Sequence, residues 1–365
     1  MTRFLFAAST RMAVMFMLAV LATTSSSAQS ITTFDPPNST KTVAQAINIF
    51  GQITGYYNES GVSGTYSFIR QRDGTFIKFR HGGPLFYQST LATDINSAGQ
   101  VVGYYVEGIA NSSFLRQRDG TIVNLNVSPA NQSSPSAAVT EPPPSEYCSI
   151  SFGGPTAVSI NAFGQITGQV GERCRGILWQ PDGTSITFDV LPQFQVIPET
   201  APQAINFFGQ ITGWYRDTNG FDLRGFVRKP NGTIIRFDVP NSGHTVPQAI
   251  NFFGQITGYY RDTNFVPHAF LRQPNGKIIT FDPTGSVGTQ AMAINLTGEI
   301  TGFYATVDGI YHGFLRRPNG KIETFDVAGT GNGGTFPKHI NDFGQIVGFY
   351  QDANFVLHGF VRSAH

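Results

Sequence analysis

Apolar and polar positions along the chain fall into one short pattern that returns repeatedly. In Ala249-Ile250-Asn251-Phe252-Phe253-Gly254-Gln255-Ile256-Thr257-Gly258-Tyr259-Tyr260, an apolar run ends on Ile-Asn. A glycine-containing turn follows, and a second apolar run ends on two aromatics. The pair recurs with Asn48, Asn96, Asn161, Asn206, Asn251, Asn295 and Asn341, at spacings of 48, 65, 45, 45, 44 and 46 residues. A period near 45 with one long insertion is the mark of a repeat architecture. Short runs rich in Ile, Val, Thr, Phe and Tyr, bounded by Gly, Pro and Asn, predict strands and tight turns.

Each repeat reads as four strands. Strand A ends in Ala-Ile-Asn, and strand B is the Gln-Ile-Thr-Gly-Tyr-Tyr type. Strand C is the His268-Ala269-Phe270-Leu271-Arg272 type, and strand D the Lys277-Ile278-Ile279-Thr280-Phe281-Asp282 type. Between C and D stands Asp-Gly or Asn-Gly, from Asp73-Gly74 to Asn319-Gly320, the strongest short-range hairpin signal. A glycine inside strand B, such as Gly55 or Gly258, implies a bulge or a close neighbour. Packing between adjacent repeats is the expected neighbour. Arg70, Arg116, Arg228, Arg272, Arg316 and Arg362 end strand C, with Trp179 in the third repeat. They are expected to lie over the Phe two residues earlier as a cation–π contact, or to be a solvated edge charge.

There are seven repeats but six C–D turns, because the last repeat stops after strand C at Phe360-Val361-Arg362. Its missing strand D is matched at the other end of the chain: Ile31-Thr32-Thr33-Phe34-Asp35-Pro36 resembles Ile278-Ile279-Thr280-Phe281-Asp282-Pro283. The expected fold is therefore all-β: a seven-bladed β-propeller of four-stranded antiparallel blades. The N-terminal strand completes the last blade and removes the edges of a linear array.

Composition narrows the function classes. The 365 residues carry 24 basic and 23 acidic side chains, a net charge of +1, which argues against a polybasic nucleic-acid binder or a polyacidic tail. Charged residues are 13%, about half the usual share, while Gly (41) and Phe (32) are abundant, as suits short strands. Arg3 and Arg11 precede the apolar run Met12 to Ala22 and then Thr23-Thr24-Ser25-Ser26-Ser27-Ala28, the order of a secretory signal peptide. Residues 1–28 are read as that signal and 29–365 as a single domain, with a Ser/Pro-rich insertion at about 127–156. An 11-residue apolar run is too short to span a bilayer, and no later stretch is long enough.

The strings His268-Ala269-Phe270-Leu271-Arg272, His312-Gly313-Phe314 and His358-Gly359-Phe360, with Ile-Asn-x-x-Gly-x-Ile-x-Gly, resemble the HAF-type extracellular repeat family over the whole mature chain. The first four repeats depart at the His position, with Tyr66, Ser112, Arg175 and Arg224. The resemblance implies an exported bacterial repeat protein and no defined activity.

Long, variable B–C loops and D–A linkers emerge on one face, the usual place for binding residues on a rigid scaffold. Strand B ends there with Tyr57, Tyr105, Tyr215, Tyr260, Tyr304 and Tyr350. An acid follows two residues later at Glu59, Glu107, Glu172, Asp217, Asp262 and Asp352, while the sixth repeat shifts it to Asp308. Aromatic faces beside carboxylates suit a sugar ring. The alternative is that the tyrosines are core and the acids pair with His268, His312, His358, Arg175 or Arg224. The Asp-x-Asn turns lack the ligand count of a calcium loop, and neither a metal nor a cofactor is expected.

No catalytic motif is present. Before the repeated Ile, however, Ala gives way to Asp94, Ser159 and His339. These have triad chemistry by type, but they lie on different repeats, so a shared hydrogen-bond network is not expected. The expected function is a secreted, non-catalytic binding propeller for a glycan or an extracellular protein, with no nucleic acid and no membrane span. The alternatives are an enzyme acting on an extracellular polysaccharide, as a lyase or hydrolase, at the axial mouth, or a structural envelope component. Two cysteines in an exported protein favour a disulfide, Cys148 to Cys174.

Overall fold

The computed structural model describes residues 30–81, 88–107, 110–125, 155–171, 174–191 and 199–363, with Glu107 and Ala110 in backbone only. The signal segment 1–28, almost all of the 127–156 insertion, Cys148 and Glu172 lie outside the described residues. Among the described residues every regular element is a strand, and no helix is long and apolar enough to cross a membrane.

The strands form four-stranded antiparallel units in the order A-B-C-D. In the fifth unit these are His244–Ile250, Ile256–Arg261, Pro267–Arg272 and Ile278–Phe281. The first two units count as one eight-stranded sheet, joined by a single parallel bridge, Thr65 to Ser89. The unit at the C-terminus takes its outer strand from the N-terminus. Ile31–Phe34 pairs antiparallel with Leu357–Arg362, Ile31 opposite Arg362 and Phe34 opposite Gly359. Ser30 and Ser363 continue the ladder by hydrogen bonds.

The repeated residues now acquire physical reasons. In every A–B turn the glycine N–H donates to the Asn carbonyl, as Gly254 does to Asn251 at 3.0 Å, with the glycine at φ near +78°. The Asn side chain then works at full capacity. Asn251 Nδ2 donates to Gln255 Oε1 at 2.8 Å and to the Asn295 carbonyl of the next unit at 3.0 Å, while its Oδ1 accepts from Phe253 and Gln255 N–H. The same unit-to-unit link runs Asn48 to Asn96, Asn96 to Asn161, Asn161 to Asn206, Asn206 to Asn251 and Asn295 to Asn341, and Asn341 donates to Asn48.

Two expectations are corrected. The strand-B glycine answers strand A of its own unit and not the adjacent unit. A Cβ on Gly258 would lie 2.1 Å from the Val246 carbonyl, because strand A bulges between Pro247 and Ala249 and its backbone leans across. The strand-C arginine lies over the strand-D Phe of the preceding unit and not over the Phe two residues earlier. Arg272 sits 4.7 Å from the Phe237 ring, Arg316 4.8 Å from Phe281, and Arg70 5.0 Å from Phe34 of the N-terminal strand. Nor are they solvated edge charges: Arg362 is 2% exposed and Arg228 5%. The guanidiniums of Arg70, Arg116, Arg228, Arg272 and Arg316 also donate to the next residue's carbonyl, as Arg272 does to Gln273. Between neighbouring sheets lie clusters such as Ala269, Leu271, Ile294, Ile300, Tyr304 and Phe314.

Candidate functional site

The long-loop face is where strand B ends, strand C begins and strand D ends. Its polar side chains form a row in the first and in the third to seventh units. In the fifth unit His268 Nδ1 lies 2.7 Å from Asp282 Oδ2 at the end of strand D, and Nε2 lies 3.7 Å from Asp262 of the B–C loop. In the last unit His358 lies 2.7 Å from Asp35 and 3.4 Å from Asp352. In the sixth, His312 lies 2.9 Å from Asp326, with Thr306 at its other nitrogen. The fourth unit replaces His with Arg224, set among Asp217, Asp222 and Asp238 at 3.0–3.6 Å. Arg175 pairs with Asp189 in the third, and Lys78 with Glu59 in the first.

The sequence-derived tyrosines lie beneath this row. Tyr57, Tyr105, Tyr215 and Tyr304 are buried, and Tyr260 and Tyr350 are half-buried. Most have a ring face covered: Tyr260 by His268, Tyr304 by His312 and Tyr350 by His358 at 5.2–5.3 Å, and Tyr57 by Tyr66 at 5.8 Å. Tyr105 meets His81 edge-on at 4.5 Å. Burial raises the phenol pKa of Tyr57, Tyr215, Tyr260, Tyr304 and Tyr350. The acids Glu59, Asp217, Asp262 and Asp352 pair with the basic groups just named, and Glu107 ends its strand. The tyrosines are therefore the floor of the face. Backbone N–H bonds from Val266 and Val356 hold the Asp262 and Asp352 pKa values below the usual range. For His358, burial lowers the pKa, but hydrogen bonding and charge from Asp35 and then Asp352 outweigh it, and the value is raised.

The B–C loop tips stand above the row. Phe221 is 79% exposed, Phe265 63%, Val307 93% and Phe355 71%. Phe265 and Phe355 are left-handed at φ 63° and 64°. The same turn in the fourth and sixth units places Gly220 and Gly309 there, each with its N–H on the carbonyl three residues back. A non-glycine residue in this region costs roughly 1–2 kcal/mol. The loops are stiffened by their own acids: Asp262 Oδ1 accepts from Asn264 and Val266 N–H, and Asp352 Oδ1 from Asn354 and Val356 N–H. These are Asx turns. Among the described residues, no group of three or more His, Cys, Asp or Glu is placed to hold a metal.

Near the axis the structure brings together residues far apart in sequence. Ser159 Oγ donates to Asp94 Oδ2 at 2.9 Å, and the same oxygen accepts from Ile160 N–H at 2.9 Å. His339 Nδ1 accepts from Ile47 N–H at 3.4 Å. Burial, opposed by the charges of Asp94 and Asp342, lowers the His339 pKa. The expectation of no shared network thus fails for Asp94 and Ser159, because consecutive units present equivalent positions side by side at the axis. The opposite face carries exposed Phe50, Phe163, Phe207, Phe208, Phe253 and Phe343 on the A–B turns. Phe163 and Phe207 touch at 4.7 Å, as do Phe208 and Phe252.

The sequence matches no protein-family model and no curated protein. Solved structures do share its shape. A streptogramin B lyase is 13% identical with a TM-score of 0.56, covering 91% of this chain and 97% of its own. The virginiamycin B lyase of Staphylococcus aureus, with quinupristin, gives 13% and 0.56 over 93% of this chain and 100% of its own. The β-propeller domain of the Trilobed protease from Pyrococcus furiosus gives 9% and 0.55 over 88% and 95%. The fold is a β-propeller. At these identities the likeness carries the fold alone.

Proposed function

We propose that the chain is an exported seven-bladed propeller, closed through its N-terminal strand. It binds a glycan or an extracellular protein on the long-loop face and performs no chemistry there. The closed ring is supported by the Asn341 to Asn48 bond and by Arg70 over Phe34. The observation that carries binding over catalysis is how the reactive side chains are spent. The Ser159 hydroxyl donates to Asp94, while His339 uses Nδ1 on a backbone N–H. No serine–histidine pair results. A glycan array and a panel of extracellular proteins test the reading. Binding is expected to fall with B–C loop variants and survive variants in the C–D turns; the reverse would put the site on the wrong face.

The Asp94–Ser159 contact keeps a second reading in play, an enzyme on an extracellular polymer at the axial mouth. Polysaccharide turnover lost in Asp94→Ala or His339→Ala would favour it. The export signal, the HAF-type kinship and a Cys148–Cys174 disulfide belong to the main proposal. Cys174 is buried in the B–C loop of its unit, and no described cysteine is free. The bond would close a loop of about 26 residues, worth roughly 3–4 kcal/mol. Thiol titration of the unfolded, unreduced protein should find none; two titratable thiols would refute the bridge.

A further inference from the structure

The B–C loop tips carry an inference that rests on the long-loop reading and narrows its ligand class. In the fourth to seventh units these loops present Phe221, Phe265, Val307 and Phe355 to solvent. Two of the four keep a phenylalanine in a left-handed position that their neighbours fill with Gly220 and Gly309. Phe265 meets only the His244 ring, at 6.0 Å, among the ring contacts of these two tips, and strain retained at an exposed apolar ring is the kind of outlier that points to contact. The Asx turns fix the backbone beneath each ring, so little ordering remains to be done on binding.

The charge around the tips is net negative. Each of these four units brings two aspartates to the face, one in the B–C loop and one after strand D, and Asp222 adds a ninth carboxylate; Glu199 is buried in a pair with Arg216. Against these nine stand the guanidiniums of Arg224, Arg236 and Arg261 and, within the rows, the imidazoles of His268, His312 and His358. The carboxylates near His268, His312, His358 and Arg224 are already held within their rows, and the tyrosine faces are covered. Few groups are left to read a pattern of sugar hydroxyls. An acidic rim studded with fixed apolar tips complements a surface that is basic and apolar together.

We infer that the B–C loop rim of the fourth to seventh units docks a protein partner through a basic, apolar segment, with Phe265 and Phe355 as its anchors. Short random peptides displayed on phage and selected on the purified protein are the probe; enriched sequences are then synthesised and titrated. Enrichment of Lys or Arg alongside Leu, Ile or aromatic residues is expected. Affinity should weaken several-fold between about 50 and about 300 mM salt. The double variant Phe265→Asn/Phe355→Asn should bind roughly tenfold more weakly, yet melt no lower than the parent, because Asn tolerates the left-handed region. Phe208→Ser/Phe253→Ser on the opposite face should bind as the parent does.

A lower melting temperature in Phe265→Asn/Phe355→Asn would make the rings structural and overturn the inference, as would unchanged affinity or no enrichment of basic apolar peptides. If a glycan binds the loop face while no peptide is enriched, this inference falls and the binding propeller stands. If binding follows Phe208 and Phe253 instead, both fall.

Discussion

At the residue scale, the repeat is held by side chains that have no slack. Asn251 fills all four of its hydrogen-bonding positions, two within its turn and two reaching Gln255 and the next unit. Asn251→Ala strands a buried carbonyl and two N–H groups, and should cost about 2–3 kcal/mol in urea unfolding. Gly258→Ala drives a methyl into the Val246 carbonyl, and a loss of about 2–3 kcal/mol is expected. An Ala at Gly61, where a Cβ meets nothing within 4 Å but φ is +74°, should cost only the backbone strain. The positions were legible from the sequence, since Asn and Gly recur at fixed places. The partners were not: an unbroken run of letters does not show that the bulge lies one strand away or that the amide reaches the following unit.

At the element scale, the strand borrowed from the N-terminus is held by three kinds of contact. Phe34 packs against Gly359, where a Cβ would come within 2.5 Å of the ring, and under Arg70 of the first unit. His358 holds Asp35, the residue after the strand. Gly359→Ala should therefore destabilise, and Phe34→Leu should relieve part of that loss; additive effects in the double variant would break the proposed contact. The ion pair sets a pH dependence. The His358 pKa is raised on folding, so its contribution is complete below the ordinary imidazole value near 6.5 and fades as pH rises through the folded value. Asp352 has a lowered pKa, so its share fades instead as pH falls through that lower value. Asp35→Asn should lower the melting temperature by about 1–3 °C near pH 6 and by less above pH 8. Strand types and the end-to-end match were readable because both are local strings. Core tyrosines with acids paired to His268, His358 and Arg224 were one of the two readings the residues offered; the rings that cover them were not legible, because the alternation that marks a strand says which residues share a face and not what lies on it. The loop tips carried a signal that went unused: Phe265 and Phe355 occupy the place that Gly220 and Gly309 take elsewhere.

At the scale of the whole molecule, deleting residues 30–36 should uncover Leu357–Arg362 as a long edge and lower the melting temperature sharply, by well over 5 °C. A deletion protein that melts with the parent would end the closed-ring reading. The axial neighbourhood of Asp94 and Ser159 could not have been read from residues 65 apart in sequence, since it exists only once successive units are stacked. The pairing of Ile31 with Arg362 also bears on time. During synthesis the strand Ile31–Phe34 has no partner until Leu357–Arg362 has been made, and closing so long a loop is slow compared with any hairpin in between. Each later unit can pack on its predecessor as it emerges, but the last sheet is not complete until Ile31–Phe34 meets Leu357–Arg362. A chain lacking Leu357–Arg362 would thus show its fault at the far side of the same sheet, as a loose and protease-sensitive strand Ile31–Phe34, and the integrity of one strand could be read from the other.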